Sequence, residues 1–457
     1  MGGGISGLAA LHYLKTKSPD SDVTLYESSD RPGGVIGTDI VGGYVCEWGA
    51  SGILDRNGLC RQLCEELGIE DSLESAAKAA KNRYVLRENK LCPVPLSPAT
   101  FLFSKILTPK GKFRLLCEPF TSPTNAADES IYDFFIRHIG REATDYIIQP
   151  MVTGIFAGRA EQLSLQACFP KLHELDRKYG SLLKGVIKSQ FHKRKSDQKA
   201  PKRKGSMRLL SFKQKGVSVL VEALAERHKT NIRTGMPVVG IKKSRPPASS
   251  NDKWSISLIN GSNDEADNII LAVPAYQASS ITLSHSERLS GLFKLISYAP
   301  LVVVCLGYSL SAATRPLDGF GFLVPPKENK KILGSIWISS VYNCRAPDQK
   351  FHLRVMLGGS GVANMKLLSL SDEQLLNIVR VDLKDIMGIE VPPEMVKIYR
   401  HERAIPEYNL GHPKLLTQIE TELAGTPGLY LAGNYYSGVG VSDCLKTSLA
   451  AVDKILS

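Results

Sequence analysis

A chain of 457 residues is longer than one hydrophobic core organises and implies two or three domains, and its 43% apolar residues are ample to fill them. No apolar run reaches the roughly 18 residues that cross a bilayer, and no signal peptide is legible at the N-terminus, which leaves a soluble or peripheral protein. The formal net charge is +12, from 57 Lys and Arg against 45 Asp and Glu.

The first 34 residues carry the most information. Gly2, Gly4 and Gly7 form G-x-G-x-x-G, Ile5 to Lys15 reads as the start of an amphipathic helix, and Val23 to Glu27 reads as a short strand. Glu27 falls 20 positions after Gly7, the spacing at which an acid reaches a ribose hydroxyl in a dinucleotide-binding βαβ unit. Glycine is needed there because backbone N–H groups at the helix N-terminus must approach a pyrophosphate that a Cβ would obstruct. Arg31, Gly33 and Gly34 follow as a second glycine turn. The strand of about five or six residues that normally feeds such a turn is missing before Gly2, which suggests a truncated chain or a misassigned start.

Further along, a helix is expected around Leu59 to Leu67, and strand with proline-punctuated loop from Arg83 to Ser97. Residues from Ala99 to about Phe191 follow helical periodicity. Between Lys188 and Arg208 nine basic residues face the single acid Asp197. Such a run is a solvated loop or an anion-facing surface. Phospholipid fits it better than nucleic acid, because no aromatic interleaving or recognition helix accompanies the charges. Then come a helix over Val217 to Arg227, a half-buried strand over Trp254 to Leu258, and a fully buried one over Asn268 to Pro274. Strand-rich sequence fills Pro300 to Leu357, and a helix covers Asp372 to Met387. Gly428 to Asn434 is an apolar strand ending in glycine, and Gly438 to Asp443 opens a helix that runs to Ile455. A second strand-to-helix glycine turn far from the first means that both ends of the chain build one ligand site, which suits FAD better than NAD. The nine cysteines show no metal-ligand spacing. Cys60 and Cys64 form an isolated C-x-x-x-C, and reduced core thiols in a cytosolic compartment are expected, with no metal site.

Together these residues resemble the flavin-containing amine oxidase superfamily, and within it the oxygen-dependent protoporphyrinogen oxidases. The superfamily likeness rests on Gly2, Gly4, Gly7, Glu27, Arg31, Gly33, Gly34 and Ala432-Gly433-Asn434 with Gly438 to Asp443. The narrower likeness rests on Asp145 to Gly158, Leu317 to Pro325, Met356 to Gly359, and Ala404 to Tyr408 with Gly411-His412. The resemblance implies an α+β fold in which a Rossmann-like FAD domain (1–78, 206–276, 412–457) is interleaved with a mixed-sheet substrate domain (79–95, 277–411) and a helical membrane-binding insertion (96–205). It implies non-covalent FAD held by the named glycines with Glu27, Arg31, Val238, Gly433, Asn434, Val439, Gly440 and Val441. The implied reaction is oxidation of protoporphyrinogen IX to protoporphyrin IX, with oxygen as acceptor and hydrogen peroxide as product.

For the substrate, the resemblance implies Arg83 on a propionate, Leu317, Ile336 and Met356 as apolar clamps, and the Ala157 carbonyl facing the pyrrole N–H groups. A floppy apolar tetrapyrrole with two carboxylates wants a flat hydrophobic slot and a cationic anchor, and needs no catalytic acid or base from the protein. His412 is expected to be structural. The sequence departs from the family habit at Lys215-Gly216 and at Thr447-Ser448, both beside FAD-side backbone. A peripheral position on the cytoplasmic face of a cell membrane is implied, with a homodimer and ferrochelatase as further partners to test. The rival readings are coproporphyrinogen III oxidation, an amine or carotenoid oxidase with Tyr435-Tyr436 as its only hint, and a flavin-free prenylated-GTPase escort protein.

Overall fold

The computed structural model describes the chain apart from residues 96, 125, 186, 189–207 and 244–252. The basic run is therefore outside the described residues except for its two ends, Lys188 and Arg208.

The helix Ile5–Lys17 begins at Gly4 and closes with Lys15 and Lys17 in its last turn, where cations favour the helix dipole. Residues Ile5 to Tyr13 are all buried, so this helix is not the amphipathic surface helix expected from the sequence. The helices Ser218–Arg227 and Val441–Leu456 pack on it from two sides and the parallel strands from a third, leaving no wet face over its first turns.

Those strands are short. Leu25–Tyr26 pairs in parallel with Ile232–Arg233, and Ile269–Leu271 in parallel with Leu429–Leu431. Met1 and Gly2 lie between the two pairs. The Met1 amino group donates to the Ile270 carbonyl at 2.9 Å, Ala272 N–H donates to the Met1 carbonyl at 2.9 Å, and Gly2 N–H donates to the Tyr26 carbonyl at 2.8 Å. Among the described residues these two carry the pairing at the position where the sequence reading expects a longer strand. Burial lowers the Met1 amine to about 6.

A second sheet has seven strands, ordered Met395–Pro406, Tyr298–Ser309, Lys350–Gly358, Ile332–Trp337, Gly321–Leu323, Tyr84–Arg87, Lys90–Pro93. All neighbours are antiparallel except Gly321–Leu323 with Tyr84–Arg87. One face presents Val302, Val304, Leu306, Leu353, Val355 and Leu357, against which the helix Asp372–Met387 lays Leu375, Val379 and Leu383. Each such fully buried side chain contributes about 1.5–3 kcal/mol relative to exposure. The limits of that helix were legible: Ser371 and Gln374 make a capping box, and Gly388 (φ +70) ends it in the left-handed region.

Between residues 98 and 185 the described elements are short helices joined by loops. Ser97, Thr108 and Ser130 each accept the N–H three residues on, which starts the helices Pro98–Phe103, Pro109–Leu116 and Ile131–Ile139. A buried polar network then locks these short helices together. His138, fully buried, lies between Glu118 (Nδ1 to Oε1, 2.9 Å) and Asp176 (Nε2 to Oδ1, 3.0 Å). Arg137 donates to Glu129 at 2.8 Å and to Asp176 at 3.0 Å. The chain thus forms a mixed helix-and-sheet fold, with the glycine turns near its two ends, the parallel strands drawn from its N-terminal, middle and C-terminal parts, and the seven-stranded sheet built from segments between them.

Candidate functional site

The first glycine turn is as tight as its sequence demands. A Cβ on Gly7 would lie 1.9 Å from the Gly2 carbonyl oxygen, so no other residue fits without moving backbone. Beside Gly4 the opposite holds: a Cβ there would find nothing within 4 Å, and no side chain caps the first turn of the helix Ile5–Lys17. Open space in front of uncapped helix N–H groups is a cradle for a phosphate. The second turn seals onto the first, with Gly33 N–H donating to the Gly3 carbonyl at 2.7 Å, and a Cβ on Gly34 would lie 3.2 Å from the Gly4 Cα. Arg31 spends its guanidinium on the carbonyls of Pro32, Gly34 and Ile36 (3.0–3.1 Å) and stacks 4.3 Å over Trp48. In this structure it therefore shapes the loop.

Glu27 is 7% exposed and accepts Gly3 N–H at 2.6 Å and Ser29 N–H at 2.8 Å. The Ser28 hydroxyl also donates to it at 3.2 Å, and as a carboxylate has about four acceptor sites, one is left for a ribose hydroxyl. The chain returns to it through Met236 N–H, which donates to the Glu27 carbonyl at 2.9 Å, and leads into Val238 at the head of the strand Val238–Lys243.

The C-terminal turn is braced from an unforeseen direction. The Tyr408 hydroxyl donates to the Asn434 carbonyl and accepts Gly438 N–H at 2.8 Å. The ring stacks on His412 with centroids 4.4 Å apart and an interplanar angle of 11°. Burial pushes His412 down to about 4, and its Nε2 meets the Tyr435 carbonyl at 3.1 Å, so it is the neutral structural histidine expected. Gly440 starts the helix Val441–Leu456, its N–H donating to Asp443 Oδ2 at 3.1 Å. Val439 packs on the Phe156 cluster and Val441 on the core of the first helix.

The departures from family habit are accommodated. Thr447 Oγ1 accepts Gly433 N–H at 3.2 Å, and the Ser448 hydroxyl donates to the Ser6 carbonyl at 2.8 Å, tying the two glycine-started helices together. Lys215 is exposed and Gly216 buried. Replacing Tyr408 with Phe removes two hydrogen bonds from the C-terminal turn, each worth about 1 kcal/mol. The expected result is FAD bound more weakly by about tenfold, read by flavin release on dilution, with the fold intact.

The substrate-side residues are only partly brought together. Ile336 lies opposite Arg354 and Met356 lies opposite Gly334, and opposed residues share a face, so Ile336 and Met356 stand on one face of the seven-stranded sheet. Leu317 packs with the apolar cluster of the other face and lines a 640 Å³ cavity there with Arg315 and Phe351. Arg83 is exposed just before the strand Tyr84–Arg87, which lies next to the edge strand Lys90–Pro93, and its guanidinium is 5.5 Å from the Phe320 ring. Ala157 ends the helix Gln149–Phe156 at φ +49, a strained conformation for alanine. Its carbonyl accepts Ser360 N–H at 2.7 Å. The helix follows a π turn over Thr144–Ile148, a feature that recurs at functional sites. Tyr435 and Tyr436 form no cage, because Tyr435 is fully buried edge-on to Phe293 and Tyr436 donates to Glu420 at 2.5 Å.

Two glycine-capped helices, a buried acid and parallel strands define a dinucleotide-binding fold. The residues present fit FAD: open space for the pyrophosphate at Gly4, acceptor capacity on Glu27, and a braced backbone turn at Gly433–Gly440. The flavin-containing amine oxidoreductase family profile matches residues 5–456. The chain belongs to that family, is an FAD-dependent oxidoreductase, and uses FAD as its cofactor. Coproporphyrinogen III oxidase of Bacillus subtilis (strain 168) is 31% identical over 473 residues, covering 100% of this chain and 97% of the relative. Protoporphyrinogen oxidase 2 of Arabidopsis thaliana, chloroplastic/mitochondrial, is 28% identical, covering 100% of this chain and 93% of the relative. A crystal structure from Exiguobacterium sp. 255-15, described provisionally as a protoporphyrinogen oxidase, superposes with a TM-score of 0.80 at 26% identity, covering 99% of this chain and 97% of that one.

Proposed function

We propose that this enzyme oxidises a porphyrinogen of haem biosynthesis, protoporphyrinogen IX to protoporphyrin IX, at the penultimate step of that pathway. The observation that carries the reading is end-to-end similarity to porphyrinogen oxidases, supported by Ile336 and Met356 on one sheet face and by Arg83 at the start of a strand two places along in the same sheet. The Gly4 turn, Glu27 and the Gly433–Gly440 turn would hold FAD without a covalent link, and the cofactor would supply a two-electron acceptor, with oxygen as the final acceptor and hydrogen peroxide as the product. The chain contributes binding and orientation: a flat apolar wall for the macrocycle and a guanidinium for a propionate. It also contributes a rigid glycine turn that holds the cofactor in register with that wall.

The B. subtilis similarity favours a second reading, coproporphyrinogen III, whose two extra propionates need further cations. Side-by-side turnover of the two porphyrinogens separates them. The account expects the higher kcat/KM for protoporphyrinogen IX, and a preference for coproporphyrinogen III would reverse the assignment. Arg83→Met is expected to raise KM about tenfold or more, by loss of a charge-assisted contact of about 1.5–3 kcal/mol, with kcat nearly unchanged. An unaltered KM would remove Arg83 from the site.

A membrane-facing surface completes the proposal. Phe103, Phe120, Phe113 and Leu116 are 88%, 86%, 68% and 63% exposed on the helical segment, beside exposed Lys105 and Lys110. Bulky exposed apolar groups with lysines close in sequence suit the interface of an anionic bilayer, and no helix among the described residues is long and apolar enough to cross one. Flotation with anionic vesicles is expected to carry the protein upward, and Phe103→Asp with Phe120→Asp to leave it at the bottom. Equal flotation of the variant would place the contact elsewhere.

A further inference from the structure

The seven-stranded sheet gathers soft metal ligands that the flavin chemistry does not use. Gly307, on the strand Tyr298–Ser309, is opposite His352 on one neighbouring strand and Met395 on the other. Opposed residues share a face, and Cys305 two positions along shares it too. The hairpin of Thr38–Val41 and Tyr44–Glu47 closes over this face. The Tyr44 ring occupies the space above Gly307, where a Cβ would lie 2.4 Å from it, and Cys46 Sγ lies 3.9 Å from Met395 Sδ.

The ligating atoms of Cys46, Cys305 and His352 all lie within 4.8 Å of one another. Both cysteines are 0% exposed, His352 1% and Met395 6%. Neither ring nitrogen of His352 makes a hydrogen bond of good geometry among the described residues, and its polar neighbour is the Cys305 thiol, which also interacts with Cys46. A buried imidazole so weakly satisfied costs about 1–3 kcal/mol and gains from a ligand. Positive charge flanks the sulfur as well, because Arg354 and Lys397 are the residues opposed to Cys305.

We propose that Cys46, Cys305 and His352, with Met395 as a fourth ligand, form a site for one thiophilic d10 cation, copper(I) or zinc(II). Two thiols lose their protons to water and two metal–sulfur bonds form, with no electron transferred. Metal–sulfur and metal–nitrogen bonds of about 2.3 and 2.0 Å need only a small contraction of the cluster. Thiolate and thioether donors select ions of this class, and four enclosed protein ligands mark a structural rather than a catalytic site.

The test uses the flavin-loaded protein, reduced, stripped by chelation and kept anaerobic. It is titrated with copper(I) alone against a chromogenic chelator, and with zinc(II) alone against a colorimetric one. The proposal expects one equivalent of at least one metal to be retained per chain, with sulfur neighbours in its X-ray absorption spectrum. Cys46→Ser with Cys305→Ser is expected to lose that equivalent while the flavin band persists. Should the double variant fail to fold, Met395→Leu preserves volume and is expected to remove one sulfur neighbour from the copper spectrum. Retention of neither metal, ligation by nitrogen and oxygen alone, or undiminished binding in folded variants would overturn the proposal.

Discussion

Gly7→Ala is expected to yield protein that purifies without a flavin absorbance band. The added methyl would sit 1.9 Å from the Gly2 carbonyl oxygen, far inside van der Waals contact, and the obstacle is backbone rather than a movable side chain. Either the helix Ile5–Lys17 shifts away from the turn or the turn opens, and both displace the N–H groups in front of Gly4 that a pyrophosphate needs. Overpacking of this kind costs about 1–3 kcal/mol of stability, so a melting temperature several degrees lower is expected alongside cofactor loss. The ratio of absorbance at the flavin band to that of the protein band measures the first, and thermal unfolding the second. Stoichiometric FAD in the variant would show that this turn does not hold the cofactor.

Glu118→Gln carries the other large effect. Burial by itself pushes the Glu118 carboxyl up, yet the hydrogen bonds from His138, Ser181 and the N–H groups of Leu182 and Leu183 outweigh it and hold the group below its ordinary 4.5. A carboxyl with a lowered folded value adds stability that is fully present above the unfolded value and lost as pH falls through the folded one. The native protein should therefore lose stability below about pH 4.5, and the Gln variant should lack this part of the acid response. Breaking a buried pair on one side costs about 3–5 kcal/mol, because His138 and two backbone N–H groups lose their anionic acceptor. Urea unfolding at neutral pH and again in acid measures both quantities. A variant as stable as the native protein would show that the helical segment is held by its apolar contacts alone.

How much of this was legible in the sequence depended on how local the cause was. The helix at about Asp372 to Met387 was read correctly because what bounds it is local: a capping box at Ser371 and Gln374 and a glycine at Gly388 flank it directly. The nucleotide turn was read because its glycines are spaced by the close approach of one backbone to another, a short-range constraint. The character of the helix Ile5–Lys17 was misread as amphipathic, because its enclosure comes from a helix more than 400 residues away. Tyr408 was noticed within a family motif, but its brace on Asn434 and Gly438 could not be foreseen from spacing. The ligands around Cys46 were invisible for the same reason: Cys305, His352 and Met395 meet through the register of three sheet strands, and Cys46 reaches them from a hairpin packed over that face. Leu317 shows the converse, since a motif named it beside Ile336 and Met356 while its packing lies with the opposite face of the sheet.

The measurement that tests the central claim most directly is anaerobic mixing of the purified protein with protoporphyrinogen IX while its visible spectrum is recorded. The account predicts that the oxidised flavin band bleaches as porphyrin absorbance rises, and that the band returns when oxygen is admitted. A flavin band that persists unbleached with protoporphyrinogen IX, and equally with coproporphyrinogen III, would contradict it.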